Sequence, residues 1–253
     1  MQDFVDVTVL GVLQGVSEFL PISSSGHLVI LQHLMDVPES VRLKLEVYLH
    51  AGTLASIFAF YWRTIWRIVA RREWQYAMKL VVSALPAVAV YFIFKHEIED
   101  MVSNARMVGA LLMFTGAVLI GTRYLPRGTG KVTFSRALLM GLGQALALLP
   151  GVSRSGMTLA SARGGGVDPE AAAEFSFLMS APLIMGGVVL ELAKTSAPVG
   201  ASISPATLLW GTVVAAVVGY FSLALLLRAL KGRWFWAFGP YCLAAGLLTL
   251  IFC

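Results

Sequence analysis

The residues able to do chemistry sit in two short stretches of an otherwise apolar chain. In the first, Gln14 and Glu18 stand four apart, so on a helix they share one face, and Ser23, Ser24, Ser25, Gly26 and His27 follow. In the second, Arg154 lies between Ser153 and Ser155, with Thr158 one turn on. A carboxylate inside an apolar segment is expensive and marks a functional site unless it reaches the headgroups. Serines at a helix start offer hydroxyls and free backbone N–H groups to an anion, although plain N-capping uses the same residues. Arg154 in such a segment needs an anion, and its planar fork suits phosphate oxygens; an ion pair with Glu18 is the bland alternative, and the two coexist in a resting state. A carboxylate, an imidazole, an arginine and several hydroxyls suit phosphoryl transfer better than acyl transfer. The chain has no Gly-x-Ser-x-Gly elbow, no Walker A loop around Gly130 and Lys131, and no His-x-x-x-His or Cys-x-x-Cys spacing. Of the other histidines, His50 either borders the site or is structural, His33 is structural and His96 belongs to a loop. Gly164, Gly165 and Gly166 mark the exit of the second stretch, with Arg163 beside them as a headgroup contact.

The elements that position these groups must lie in a membrane. The chain has 253 residues, 58% hydrophobic and 13% charged, with a mean hydropathy of +0.79. A soluble domain is about a quarter charged, and this chain is too apolar to be disordered. Continuous apolar runs exclude a β-barrel, which alternates over short segments. Six runs read as full spans, 45–62, 76–94, 105–122, 172–193, 206–227 and 234–253. Pro86, Pro182 and Pro240 fall inside spans, where neighbouring helices satisfy the freed carbonyls. Cys242 and Cys253 form no disulfide framework. The net charge of +5 resides mostly between apolar runs, where it sets topology and meets anionic headgroups rather than nucleic acid. Residues 1–7 carry Asp3 and Asp6 and no basic stretch, so no cleavable signal peptide is expected.

Residues 7–35 and 133–163 are apolar yet broken in the middle by proline, glycine and hydroxyls. Irregular backbone at membrane depth is tolerated only inside protein or beside a wet cavity, so both read as re-entrant helical hairpins. Gly11 and Gln14 match Gly141 and Gln144; Leu20-Pro21 matches Leu149-Pro150; Ser25-Gly26 matches Ser155-Gly156; Pro38-Glu39 matches Pro169-Glu170. The expected fold is therefore all-α integral membrane, about six transmembrane helices plus two re-entrant hairpins in an inverted-topology repeat. It forms a single membrane domain over 1–253, with repeat one at 1–125 and repeat two at 131–253. Arg63, Arg67, Arg71 and Arg72, then Arg123, Arg127, Lys131 and Arg136, then Arg228, Lys231 and Arg233 follow alternate spans, which puts those loops in the cytoplasm. The loops at 95–100 and 194–205 and both termini then lie outside, and the hairpin tips enter from opposite faces to meet near the mid-plane.

The run from Gly11 to His27 (GVLQGVSEFLPISSSGH) resembles the first signature of the undecaprenyl-diphosphatase family of the BacA type. The run from Leu149 to Thr158 (LPGVSRSGMT) resembles its second, and Glu174 to Met179 (EFSFLM) is also similar. The resemblance covers essentially the whole chain. It implies an integral membrane phosphatase of the bacterial cytoplasmic membrane that converts undecaprenyl diphosphate to the monophosphate carrier for peptidoglycan, confers bacitracin resistance, opens to the extracytoplasmic face and uses a divalent cation, Mg2+ or Ca2+. Carried over by position, Glu18, Ser24, His27 and Arg154 are catalytic: Glu18 the essential acid, Ser24 the candidate nucleophile (with a metal-activated water still open), His27 the acid/base and Arg154 the diphosphate clamp. Gln14, Ser23, Ser25, Ser153, Ser155 and Thr158 form the substrate shell. Glu18 and Gln14 are the metal candidates, and Gln14, standing where the family often has Glu, puts a paired-carboxylate metal site in doubt. The implied partners are the polyprenyl diphosphate and membrane lipid, with a homodimer left open. Two competing readings remain. A secondary transporter or lipid flippase uses the same inverted plan. A PAP2-type lipid phosphatase needs a late histidine, and none follows His96.

Overall fold

The computed structural model describes residues 2–102, 104–194 and 203–252; most of the expected outer loop at 194–205, and Cys253, lie outside them. The described residues are helical, apart from turns and one isolated two-residue bridge. In chain order the helices are α1 (Gln2–Ser17), α2 (Ser24–Leu34), α3 (Glu39–Phe60), α4 (Trp62–Ala70), α5 (Trp74–Val102), α6 (Ala105–Gly121), α7 (Phe134–Leu146), α8 (Arg154–Gly164), α9 (Pro169–Lys194), α10 (Pro205–Lys231) and α11 (Phe238–Phe252).

Five segments are long and apolar enough to cross a bilayer, Trp74–Ile98, Ala105–Tyr124, Pro169–Val189, Pro205–Lys231 and Phe235–Phe252. The sixth expected span, 45–62, is the later part of α3. That helix is long enough at 22 residues, but Arg42, Lys44 and Glu46 make its first half too polar to qualify on composition. The span also ends earlier than expected. The chain bends at Tyr61 into α4, a short helix with exposed Trp62, Trp66 and Val69 and four arginines in or beside it, the composition of a helix lying at the membrane interface.

Each expected hairpin is a helix–turn–helix, α1–α2 and α7–α8. The two are built alike at their tips. Ser23 caps α2 by accepting from the Gly26 N–H at 3.4 Å, and Ser153 caps α8 by accepting from the Gly156 N–H at 3.2 Å. The unwound tip carbonyls, which would otherwise be orphans in a dry interior, find side-chain donors from other helices. Ser155 Oγ donates to Leu20 O (3.3 Å), Cys242 Sγ to Pro21 O (3.4 Å) and Thr115 Oγ1 to Gly151 O (3.2 Å). Gly151 has φ +95, and a Cβ there would lie 2.3 Å from Val108 O, so only glycine fits. Phe19, fully buried, packs edge-on to Phe177 of α9 at 5.4 Å and fixes the first tip next to Glu18.

Small residues let the hairpins approach their neighbours closely, as in membrane interiors generally. α1 packs on α10 and α7 packs on α5. A Cβ on Gly11 would meet Gly211 O at 3.0 Å, and one on Gly141 would meet Ser83 O at 2.3 Å. α6 and α11 form a separate glycine seam, Gly109 against Gly246 and Gly116 against Gly239. Hydrogen bonds cross from α3 to α10, Ser56 Oγ to Ala216 O at 2.7 Å and Tyr48 O from Thr212 Oγ1 at 3.0 Å.

Gly141→Ala should therefore destabilise the protein by about 1–3 kcal/mol through overpacking. Gly186→Ala, where a Cβ meets nothing within 4 Å, should leave stability unchanged or slightly raised. Thermal unfolding of both variants in detergent compares them; equal midpoints would show that the α5–α7 contact yields freely.

Candidate active site

The two tips bring Glu18 and Arg154 together across 136 residues of sequence. Arg154 Nη2 donates to Glu18 Oε1. Glu18 Oε2 accepts from Ser24 Oγ at 2.6 Å and from Gln14 Nε2 at 3.2 Å, with His50 Nε2 at 3.8 Å. The carboxylate is 7% exposed, so these donors replace the water it gave up. The second amino group of the fork, Nη1 of Arg154, is buried and has no partner among the described residues.

Glu18, Ser24, His50 and Arg154 line a cavity of about 450 Å³, which the fully buried Gln14 does not reach. Of the expected site residues, Glu18, Ser24, Ser25, Ser153 and Arg154 reach it, joined by Ser17, Glu46 and His50. His50, whose place was open, is thus on its wall. Its far side is apolar, built from Leu43 and Val47 of α3, Leu148 and Val152 of the second tip, and Leu183 and Val188 of α9.

Other expected residues act behind this wall. Ser23 is buried and occupied as a cap, with φ 70, a left-handed conformation costing about 1–3 kcal/mol in a non-glycine residue and typical of functional turns. Ser155 ties the tips through Leu20 O. Thr158 hydrogen-bonds Ser176 Oγ at 2.6 Å and Arg154 O at 2.8 Å, holding the backbone of the arginine. His27 does not line the cavity. Its ring nitrogens meet Ser23 O at 2.8 Å and Tyr241 Oη at 2.7 Å, and it stacks on Tyr241. The partner lies on α11, 214 residues away, which local spacing does not reveal. Glu174, from the third similar run, fastens α9 to α4 and α5 by accepting from Thr64 Oγ1 at 2.8 Å and Tyr76 Oη at 3.3 Å.

A divalent cation was expected on Glu18 and Gln14. Among the described residues no group of three His, Cys, Asp or Glu side chains forms a metal cage. Gln14 Oε1, however, is buried without a partner on the residue that donates to Glu18. One carboxylate and one spare amide oxygen suit a hard cation whose remaining ligands are water and phosphate oxygens, the usual arrangement for magnesium. The oxygen types suit such an ion, but Gln14 turns its nitrogen toward Glu18, so its amide has to rotate for the two residues to share one ion.

Gln144 was noticed only as the counterpart of Gln14. It is 2% exposed, lines the cavity, and neither its Nε2 nor its Oε1 has a partner. A buried amide left open in this way requires an explanation, and a ligand in the cavity supplies one. Its signal in the sequence was the repeat alignment rather than charge.

The fold and site define a class: a polytopic helical membrane protein whose two hairpin tips build a buried arginine–carboxylate–hydroxyl centre. The chain matches the family described as bacitracin resistance protein BacA over residues 7–248 and belongs to it. Similar proteins include the undecaprenyl-diphosphatase of Rhodopirellula baltica, 38% identical with 99% of this chain and 98% of the relative covered. That of Desulfatibacillum aliphaticivorans is 36% identical with 98% of each covered. That of Methanosphaera stadtmanae is 35% identical with 99% and 98% covered.

Gln144→Leu keeps the volume and removes two unpartnered polar atoms, a change that is neutral or stabilising for the fold. The variant should keep or raise its melting temperature while binding inorganic pyrophosphate about tenfold more weakly, the size of one hydrogen bond to a charged group. Unchanged pyrophosphate affinity, read from the ligand-induced melting shift, would remove Gln144 from the site.

Proposed function

We propose that this chain hydrolyses undecaprenyl diphosphate to undecaprenyl phosphate and inorganic phosphate, recycling the lipid carrier for peptidoglycan synthesis and conferring bacitracin resistance. The observation that carries the reading is Glu18, holding Arg154 on one oxygen and Ser24 on the other inside an intramembrane cavity. The family and the names of its relatives support the same activity.

The residues divide the work by geometry. Arg154 keeps one unpartnered amino group for phosphate oxygens while the other holds Glu18. Gln144 and the half-buried Ser24 and exposed Ser25 face the same space. Ser24 Oγ attacks the terminal phosphorus, and its proton passes to Glu18 Oε2, already its acceptor at 2.6 Å. The bridging P–O bond breaks, and undecaprenyl phosphate leaves. Water then displaces inorganic phosphate from Ser24, and Glu18 returns the proton to the serine oxygen. Such transfers are governed by positioning and charge stabilisation. Glu18 and Gln14 would hold a magnesium or calcium ion, which when bound offsets diphosphate charge beside the carboxylate. His27, fixed by Ser23 and Tyr241, positions the serine turn.

The prenyl chain needs only to rest against the apolar wall, since its hydrocarbon already lies in lipid. The cavity is lined by the early part of α3 (Leu43, Glu46, His50) and the later part of α9 (Leu183, Val188), the ends away from the arginine-rich turns that follow α3 and α10. By the positive-inside rule it opens to the extracytoplasmic face of a bacterial cytoplasmic membrane. The inverted repeat is supported by the twin serine caps and by the matched pairings of α1 with α10 and α7 with α5.

Purified protein in detergent should release one inorganic phosphate per undecaprenyl diphosphate consumed. Lipid binding without release would favour transport. In the same assay Arg154→Lys keeps charge and loses the fork, so turnover should fall about tenfold to a thousandfold; near-normal turnover would show that bidentate contact is not why arginine stands there.

Gln14→Glu should lower the half-saturating concentration of magnesium or calcium, because a second carboxylate strengthens a hard-cation site. A metal titration of activity reads this directly, and an unchanged midpoint counts against coordination at this pair.

A further inference from the structure

Arg127, Arg163 and Arg233 converge on a narrow cleft at the opposite end of α8 from Arg154. Arg163 lies nine positions along α8 from Arg154, which puts this cleft about 14 Å from the catalytic arginine at 1.5 Å per residue. Arg163 Nη2 donates to Leu125 O at 3.0 Å, and its Nε is buried with no partner among the described residues. None of the three arginines is paired with a described carboxylate. The acids close by in sequence are engaged elsewhere: Asp168 caps α9 through the N–H groups of Glu170 and Ala171, and Glu170 pairs with Lys231 at 2.6 Å.

The frame around the cleft is rigid. Gly130 N donates to Gly166 O at 3.0 Å and Asp168 N to Gly130 O at 2.9 Å, forming the isolated bridge between two loops. Gly128 lies so close that an added Cβ would be 2.2 Å from Val167 O. Arg233 sits at φ 64 just beyond α10, a strained backbone for a non-glycine residue. Arg123 packs over Trp236 at 4.6 Å, the kind of aromatic–cation pair that anchors a membrane interface. Three guanidiniums held together without a counter-charge repel one another, and a buried unused N–H beside them asks for an acceptor.

We propose that the arginines at the mouth of this cleft, whose interior of about 20 Å³ is too small for the group itself, form a second anion site, separate from the catalytic cavity, that binds a phosphate group at the membrane surface. Guanidinium forks match phosphate oxygens, and basic pockets between membrane helices bind lipid headgroups. A phosphodiester of an anionic phospholipid and a free phosphate ion share this chemistry. Bound there, either would bridge α8, α10 and the loop at 125–128, joining the base of the second hairpin to its surroundings.

The test uses the whole purified protein in a neutral detergent and measures melting temperature with phosphatidylglycerol, phosphatidylcholine or inorganic phosphate added. Wild type should gain several degrees with phosphatidylglycerol and none with phosphatidylcholine if the source is an anionic headgroup. A gain with inorganic phosphate alone identifies the free ion. Because phosphate also fits the catalytic cavity, only the part of the shift lost in the double variant Arg163→Gln/Arg233→Gln is assigned to the cleft. That variant should lose the shift and retain detergent-assayed hydrolysis. If it does not fold, Arg127→Gln, at an exposed position, should instead weaken the apparent affinity at least severalfold at low salt. No shift in wild type with either probe, or a full shift in these variants, overturns the proposal.

Discussion

The ion pair between Glu18 and Arg154 is the constraint on which the architecture turns. Neither charge is tolerable alone in a buried apolar setting, and each sits at the tip of a helix pair that turns back on itself. The tips must therefore meet. Everything nearby serves that meeting: serine caps restart the helices, Cys242, Ser155 and Thr115 satisfy the carbonyls that unwinding exposes, and Phe19 seats the first tip on α9. Removing one partner of a buried pair costs more than the pair contributes, because the other charge is left without compensation. In the proposed reaction the same pair is the reactive centre, so the groups that hold the tips together are also those that would meet the substrate.

Much of this was legible in the chain. The breaks between α1 and α2 and between α7 and α8 fall where proline, glycine and serine interrupt the apolar pattern, while α1 starts at Gln2, ahead of the expected 7. Glu18, Ser24, Ser153 and Arg154 stand out as polar groups in apolar surroundings and do share one cavity. What escaped the sequence depends on distance. His27 turns toward Tyr241 because α11 returns to the first tip, a contact no local spacing encodes. Gln144 carries no charge and looks like an ordinary helix residue until burial leaves its amide unanswered. α4 hides because its nine residues are too short for a clear signal and its tryptophans read as the end of a span.

The polarity of α3 has a similar origin. Its first half carries Arg42, Lys44 and Glu46, which made its span weaker by composition than its neighbours. Of these Glu46, with His50 one turn later, faces the cavity, while Arg42 donates to Val37 O at 2.7 Å. The left-handed backbone of Ser23 is a second departure at the site, a conformation that Asp36, Arg72 and Arg233 adopt elsewhere.

The glycine contacts carry a consequence for how the molecule handles a long lipid. Where Gly11, Gly52 and Gly141 lie against backbone oxygen of a neighbouring helix, the surfaces interlock without intervening side chains that adjust by changing rotamer. Sliding one helix past another there means lifting it over a carbonyl. The hairpins are thus keyed to α10 and α5 like teeth rather than resting on them as a hinge leaf would. A molecule built this way resists sliding between its hairpins and their neighbours, so in the proposed reaction the motion falls to the lipid instead of to the fold.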